Sequence, residues 1–318
     1  MDILQQGIFL TLLISTIRLA TPGMIGAMGG LVSELSGTMN LCAEGLLTFG
    51  AFFAVLATHY TGNPWVGVLC GIAAGVVGGA LNMLVTVEFG GNQMLFGLGF
   101  NTFATGITAF FCRVIWGAGR SETVADLWST DFLQGIPVIG LTLASFSPLT
   151  YIAILLAVLI WLMLYKTTLG LRIRAVGNDP RALETAGVNV WALKGFAVVL
   201  CGAIMGFAGA FLSVGQLSLY VDNLVASKGM IAFVTVKMGN YRPRNIIFFA
   251  ILFAFFDALQ MQLQMLNIPF IPTELIVAIP YIAALIILFF QNETETPKAM
   301  GVPFLRRKLN FSIEDDDV

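Results

Sequence analysis

The sequence predicts an all-α protein, a polytopic membrane bundle of about ten transmembrane segments. Of the 318 residues, 58% are hydrophobic and 11% are charged, and the mean hydropathy is +0.88. Apolar runs recur at close to bilayer length, roughly 20 residues for a helix that crosses the hydrocarbon core. These runs lack the polar–apolar alternation of a membrane-spanning β-barrel, so we expect helices.

Ten apolar segments can be delimited along the chain. The second and eighth are short and rich in glycine or polar residues, which makes each a candidate for a broken or half-length helix. Small residues repeat at every fourth position in Gly67–Gly79 and in Gly202–Ala210, which predicts two helix faces in close contact with neighbours. The predicted segments are 3–20, 22–36, 42–59, 64–87, 93–117, 148–165, 190–217, 225–238, 245–266 and 272–291.

The placement of lysine and arginine predicts the orientation. In a ten-segment arrangement, twelve of the sixteen basic residues fall on one side. Because cytoplasmic loops are enriched in Lys and Arg, we expect that side, with both ends of the chain, in the cytoplasm. The predicted parts are a transmembrane domain over 1–291, with a cytoplasmic loop at 166–194 and an outer loop at 119–147, and a cytoplasmic tail at 292–318.

The basic loop 166–194 is a polar island between long apolar runs. Within it, Asn178-Asp179-Pro180 has the composition of a helix start, since a side-chain oxygen can cap the helix and proline suits its first turn. Gly187 is placed to end this helix after about two turns. Such a short helix is marginally stable alone in water, so it needs a partner. The alternative is an ordinary connecting loop that carries a cap by chance.

The surrounding residues resemble those of a known family. Residues 170–182 (GLRIRAVGNDPRA), followed by AGVNV at 186–190, resemble the cytoplasmic loop of ABC-importer permeases of the sugar, nucleoside and branched-chain amino acid branch. Leu183 stands where the family often has alanine. GGLVSE at 29–34, with Asn40 and Glu44, is similar to a second block of the family. The sequence PKAMGVPF at 297–304 is similar to an ending found mainly in nucleoside and simple-sugar members.

The resemblance implies a type II ABC importer-like permease of the bacterial cell membrane. Its partners would be a cytoplasmic ATPase subunit, a second permease that is a paralogue or an identical copy, an extracytoplasmic substrate-binding lipoprotein and membrane lipid. No phosphate-binding G-x-x-x-x-G-K-[ST] loop occurs, so ATP and Mg²⁺ would be used by the partner, and we expect no cofactor on this chain. The residues implied to couple to the ATPase are Asn178, Asp179, Pro180, Arg181, Ala182, Leu183, Glu184 and Gly187.

Polar residues inside apolar segments indicate a solute pathway, because they are costly against lipid and face the interior of a bundle. Aromatic faces and side-chain amides together suit a nucleobase. The alternative is hydrogen bonding between helices, and for Glu44 it is a position at the inner interface that holds the turn at Asn40. The candidates are Phe100, Asn101, Phe103, Thr105, Glu44, Asp257 and Gln260.

The function that we predict is ATP-driven import of nucleosides, with simple sugars next, by alternating access. The rivals are an ion-gradient-driven secondary transporter, an integral membrane enzyme and a purely structural subunit. We expect no catalytic residue and no metal site, since the chain has a single histidine and its four cysteines are scattered through apolar segments. Nothing in the charge pattern indicates a nucleic acid partner.

Overall fold

The computed structural model describes residues 2–117, 119–125, 127, 146–265, 273–290, 295–302 and 304, and the regular structure of these ranges is helical. Six helices in the described part of the chain are long and apolar enough to cross a membrane. The helices are α1 (Asp2–Leu35), α2 (Ala43–Thr61), α3 (Pro64–Met83), α4 (Gln93–Trp116), α5 (Pro148–Lys166), α6 (Thr168–Asn178), α7 (Pro180–Thr185), α8 (Val190–Ala210), α9 (Lys228–Met238), α10 (Pro243–Met265) and α11 (Thr273–Phe290). Leu84–Glu88 and Phe211–Leu217 continue α3 and α8 as π-helical turns.

The first two predicted segments form a single helix, so the predicted break near residue 21 is wrong. Pro22 lies inside α1, where it cannot donate the hydrogen bond that a helix expects at the Arg18 carbonyl. The side-chain amide of Gln216 donates to that carbonyl instead. Backbone groups at membrane depth must find protein partners, and this distant residue supplies one, which lets α1 continue past the proline.

The continuous α1 also corrects the predicted position of the N-terminus. At its end, Leu35 contacts Gly177 beside α7, and the Gly37 carbonyl accepts from the N–H of the tail residue Gly301 at 3.1 Å. Arg18, in the middle of α1, is bonded by Gln216 at the far end of the helix that α8 and its π-helical turns form, and Asp2 lies beyond Arg18. Asp2 and the described tail therefore lie at opposite ends of the bundle, and they cannot both be cytoplasmic. If the end of the bundle that carries most of the Lys and Arg residues faces the cytoplasm, Asp2 lies on the opposite side of the membrane.

The glycine pattern predicts the closest helix contacts correctly. On α3, a methyl group added to Gly75 would overlap the backbone of Gly202 and Gly206 on α8, and one added to Gly71 would lie 2.8 Å from the Gly50 carbonyl oxygen of α2. Backbone-to-backbone approach of this kind needs residues without side chains. The three helices form a closely packed core, and α1 packs on α8 and α10 beside it.

Candidate functional site

Helix α9 is a half-helix that begins near the middle of the bundle. Its 11 residues run alongside the second half of α1, with Ala232 packed on Gly26 and Val236 on Gly30. Lys228, at its start, shares a small cavity with Gly23, which is the midpoint of the apolar part of α1 at residues 11–35. The eighth predicted segment is therefore confirmed as a short helix.

Irregular backbone leads into α9. Ser218, Asn223, Ala226 and Ser227 have φ between 44° and 65°, the left-handed region that residues with side chains rarely occupy. Non-helical backbone at membrane depth is found where protein or a water-filled cavity satisfies its polar groups. In transporters, half-helices that begin near the midplane commonly form the solute site.

The carboxylate of Glu44 caps the start of α9. One oxygen accepts from the Ser227 N–H and the other from the Gly229 N–H, each at 2.8 Å. Gly229 has no side chain, so α2 can approach closely; a methyl group there would lie 2.5 Å from the Glu44 backbone. The structure thus places the Glu44 carboxylate at α9, and the expectation that it holds the turn at Asn40 is wrong.

Asp257 lies on α10 beside the same helix start. It is half-buried, and Lys228 attracts its carboxylate electrostatically. Gln260 is half-buried one turn further along α10. Asp257 is the acidic residue of a mainly apolar cavity of about 190 Å³ between α9, α10 and α11, whose other lining residues are Ser227, Met230, Ile231, Val234, Phe253, Pro280 and Ala284.

The structure brings two of the predicted pathway residues, Glu44 and Asp257, together at α9, with Gln260 nearby. The sequence pattern did not connect Lys228 with these two acids. The signal that could have connected them is the combination of a lysine and a glycine at the start of an unusually short apolar segment, since a charge in such a position needs acidic partners.

Among the candidates on α4, Asn101 holds two helices together. The Asn101 amide donates to the Leu41 carbonyl and accepts from the Gly45 N–H, each at 2.8 Å, which fastens α4 to the start of α2. The Thr105 hydroxyl donates to the Asn101 carbonyl. Phe100 is buried in the core, whereas Phe103 is 54% exposed on the outer face of α4.

Helix α7 has the structure that its sequence predicts. The Asp179 carboxylate accepts from the N–H groups of Arg181 and Ala182, Pro180 opens α7, and Gly187 ends the turn with φ +80°. Arg181, Ala182 and Glu184 are exposed, and α7 has no buried residue. Its role in coupling stays a prediction.

The α7 region is tied to the tail and to the end of α1. The Ala299 N–H donates to the Gly177 carbonyl at 2.9 Å, and the Glu295 N–H donates to the Asn240 side chain at 2.9 Å. Tyr241, in the turn after α9, donates to the Met300 sulfur. Burial raises the pKa of the Tyr241 phenol well above its ordinary value, and the nearby Glu34 carboxylate raises it further, so the phenol stays a neutral donor. One end of the bundle thus joins α1, α7, α9 and the tail.

A bundle of apolar helices with a half-helix at mid-depth is typical of membrane transport proteins, and comparison with known proteins gives the family. Residues 12–289 match the family described as branched-chain amino acid transport system / permease component. The chain is 30% identical to the guanosine ABC transporter permease protein NupQ of Bacillus subtilis, across 97% of this chain and 100% of NupQ. It is 30% identical to the nucleoside ABC transporter permease protein NupC of Lactococcus lactis, across 91% of this chain and 95% of NupC. No solved structure matches.

The chain belongs to this permease family. It is the permease component of an ABC transporter and a multi-pass protein of the plasma membrane. The relatives named above are ABC transporter permeases, which are transport proteins rather than enzymes. Permeases of this kind work with an ATPase and a substrate-binding protein.

Proposed function

We propose that this chain is the permease subunit of an ATP-driven importer that moves nucleosides, delivered by an external binding protein. The observation that carries the proposal is the start of α9 near mid-depth, flanked by Glu44, Lys228 and Asp257. The two relatives above, matched over nine-tenths or more of this chain, are named for guanosine and nucleoside transport. Simple sugars, which share the ribose hydroxyl groups, are the next candidates.

The charges around α9 favour an uncharged polar solute. Lys228 and the positive end of the helix dipole are set against two carboxylates, so the local charges nearly cancel. Glu44 is engaged with backbone N–H groups, which leaves Asp257 and Gln260 to meet hydroxyl or amide groups of a solute. The adjoining apolar cavity offers Met230 and Phe253 to the flat face of a nucleobase.

The proposed drive reaches this site through α7. In the proposal, the ATPase partner moves the exposed helix α7, and the hydrogen bonds of Gly177 and Gly37 with the tail carry that motion to the end of α1. Because α9 packs along the same half of α1, movement of this unit opens the pathway alternately to each side. ATP and Mg²⁺ belong to the partner in this scheme, and the second permease is a paralogue or an identical copy.

Reconstitution tests the proposal. Proteoliposomes that hold the assembled transporter should take up radiolabelled guanosine only when ATP and the binding protein are supplied. Replacing Ala182 and Leu183 together by glutamate should remove the ATPase from the purified complex, while the chain still inserts. A pair of serines at the same positions is the matched control and should retain the ATPase. Guanosine uptake without ATP, or a normal ATPase yield from the glutamate variant, would contradict the proposal.

Ion-coupled transport is the alternative to ATP-driven import, and one observation favours it. Two acidic residues, Glu44 and Asp257, lie at mid-depth beside a half-helix, which is an arrangement that ion-coupled carriers use. In that case, uptake would follow an imposed proton or sodium gradient in vesicles that hold this chain and no ATPase. Asp257→Asn would then abolish the dependence on the gradient, whereas in an ATP-driven importer ATP would remain the only requirement.

A further inference from the structure

A small, partly open cavity at the α7 end of the bundle lies around a buried lysine. Lys194, in the second turn of α8, is 3% exposed. The volume within which the centre of a water-sized sphere can move is about 10 Å³. This is enough space for one water molecule or one monatomic ion. Five different parts of the chain meet there, through Thr38, Thr86, Val87, Gln93, Trp191, Lys194, Val302 and Phe304.

The positive charge of Lys194 has no partner among the described residues. The ion pair found in those ranges joins Arg113 to Asp222, at the other end of the bundle. None of the described residues that line the cavity carries a carboxylate. A buried ammonium group without a counter-charge is strongly unfavourable, because the protein interior does not replace the water it has lost.

The polar groups around the lysine are mostly hydrogen-bond donors. Within the described ranges, the Thr38 hydroxyl and the Trp191 indole nitrogen are buried without a hydrogen-bond partner. Gln93 uses its carbonyl oxygen to accept from the Met39 N–H at 2.8 Å, so its amide N–H groups remain available. An indole nitrogen and an ammonium group can only donate. A water molecule must also find acceptors, whereas an anion accepts from every side.

The helix directions add to the positive potential. Gln93 is the first residue of α4 and Trp191 is the second residue of α8, so the N-termini of two helices lie at this cavity. Helix N-termini carry a partial positive charge and are stabilised by anions. An anion in this cavity would therefore be stabilised by the lysine, by the hydrogen-bond donors and by the two helix N-termini.

We propose that this cavity binds a single monovalent anion of the halide class against Lys194. The room available excludes phosphate and sulfate. The anion would join the turn after α1, the end of α3, the starts of α4 and α8, and the tail. It would therefore stabilise the end of the bundle that carries α7. This inference makes no use of the transported solute or of the ATPase.

Thermal unfolding of the purified transporter tests the proposal. At constant ionic strength, replacing gluconate by chloride or bromide should raise the unfolding temperature in a saturable way. Lys194→Met, which keeps the length of the side chain, should abolish this dependence. Lys166→Met is the matched control at an exposed position on the same side, and it should behave like the wild type.

Two further measurements keep the test decisive if Lys194→Met does not fold. Thr38→Val removes one donor to the anion and should weaken the apparent halide affinity by about tenfold. Crystals grown in bromide should show anomalous scattering beside Lys194. Any of three results would overturn the proposal. They are a wild-type unfolding temperature that does not change with halide, an unfolding temperature of Lys194→Met that depends on halide as the wild type does, and no bromide peak in this cavity.

Discussion

The carboxylate of Glu44 should hold α9 in place, and Glu44→Gln tests this with almost no change of shape. The carboxylate accepts one hydrogen bond from Ser227 and one from Gly229. Glutamine offers one oxygen and one NH₂ group, so one backbone N–H loses its acceptor and faces a donor. A hydrogen bond to a charged group contributes about 1.5–3 kcal/mol. The negative charge at the helix start contributes about 0.3–1 kcal/mol more.

These terms predict that the start of α9 opens about 20- to 800-fold more often in Glu44→Gln, since about 1.4 kcal/mol corresponds to a factor of ten. Hydrogen exchange followed by mass spectrometry should show faster exchange in peptides that cover residues 218–232. Peptides of the α3–α8 contact should be unchanged, because no part of that contact involves Glu44.

Glu122→Gln is the matched control, since Glu122 is an exposed carboxylate between α4 and α5, and this variant should leave all peptides unchanged. Unchanged exchange at 218–232 in Glu44→Gln would refute the reasoning. So would an equal rise in every peptide, because that would show a general loss of stability rather than a local release of α9.

Three further predictions concern the bundle itself. Gly75→Leu should lower the yield of folded protein, because the new side chain would overlap the backbone of α8 and overpacking costs about 1–3 kcal/mol or more. The control Gly106→Leu should be tolerated, because that glycine has open space around it. In a background without native cysteines, Asp2→Cys should react with a membrane-impermeant thiol reagent added outside cells, while Ala182→Cys should not. Asn101→Ala should lower the unfolding temperature and the abundance of the complex, because the Gly45 N–H and the Leu41 carbonyl each lose a partner at about 1–3 kcal/mol.

Each of these predictions has a result that would contradict it. Equal yields of the two glycine variants would show that the α3–α8 contact can loosen without loss. Labelling of residues 2 and 182 from the same side would show that α1 does not cross once. Normal stability of Asn101→Ala with altered substrate preference would return Asn101 to the solute pathway.

The helices and most of their ends could be predicted from the sequence, because they depend on local chemistry. The cap at Asp179, the proline after it and Gly187 lie on neighbouring residues, and they mark α7 wherever the chain goes. The glycine spacing on α3 and α8 likewise predicts a close contact, since it records which helix faces lack side chains. Family resemblance could be seen in the same local blocks.

The tertiary structure decided the features that depend on residues far apart in the sequence. From the sequence alone, Pro22 predicts a break in α1, because it cannot donate to the Arg18 carbonyl. In the structure, Gln216, which is 198 residues from Arg18, donates to that carbonyl and the helix continues. Glu44 and Gly229 are 185 residues apart, so the cap of α9 cannot be read from either segment. Local patterns record what each stretch can form, but the partner of a polar group inside a membrane is fixed only when the whole bundle packs.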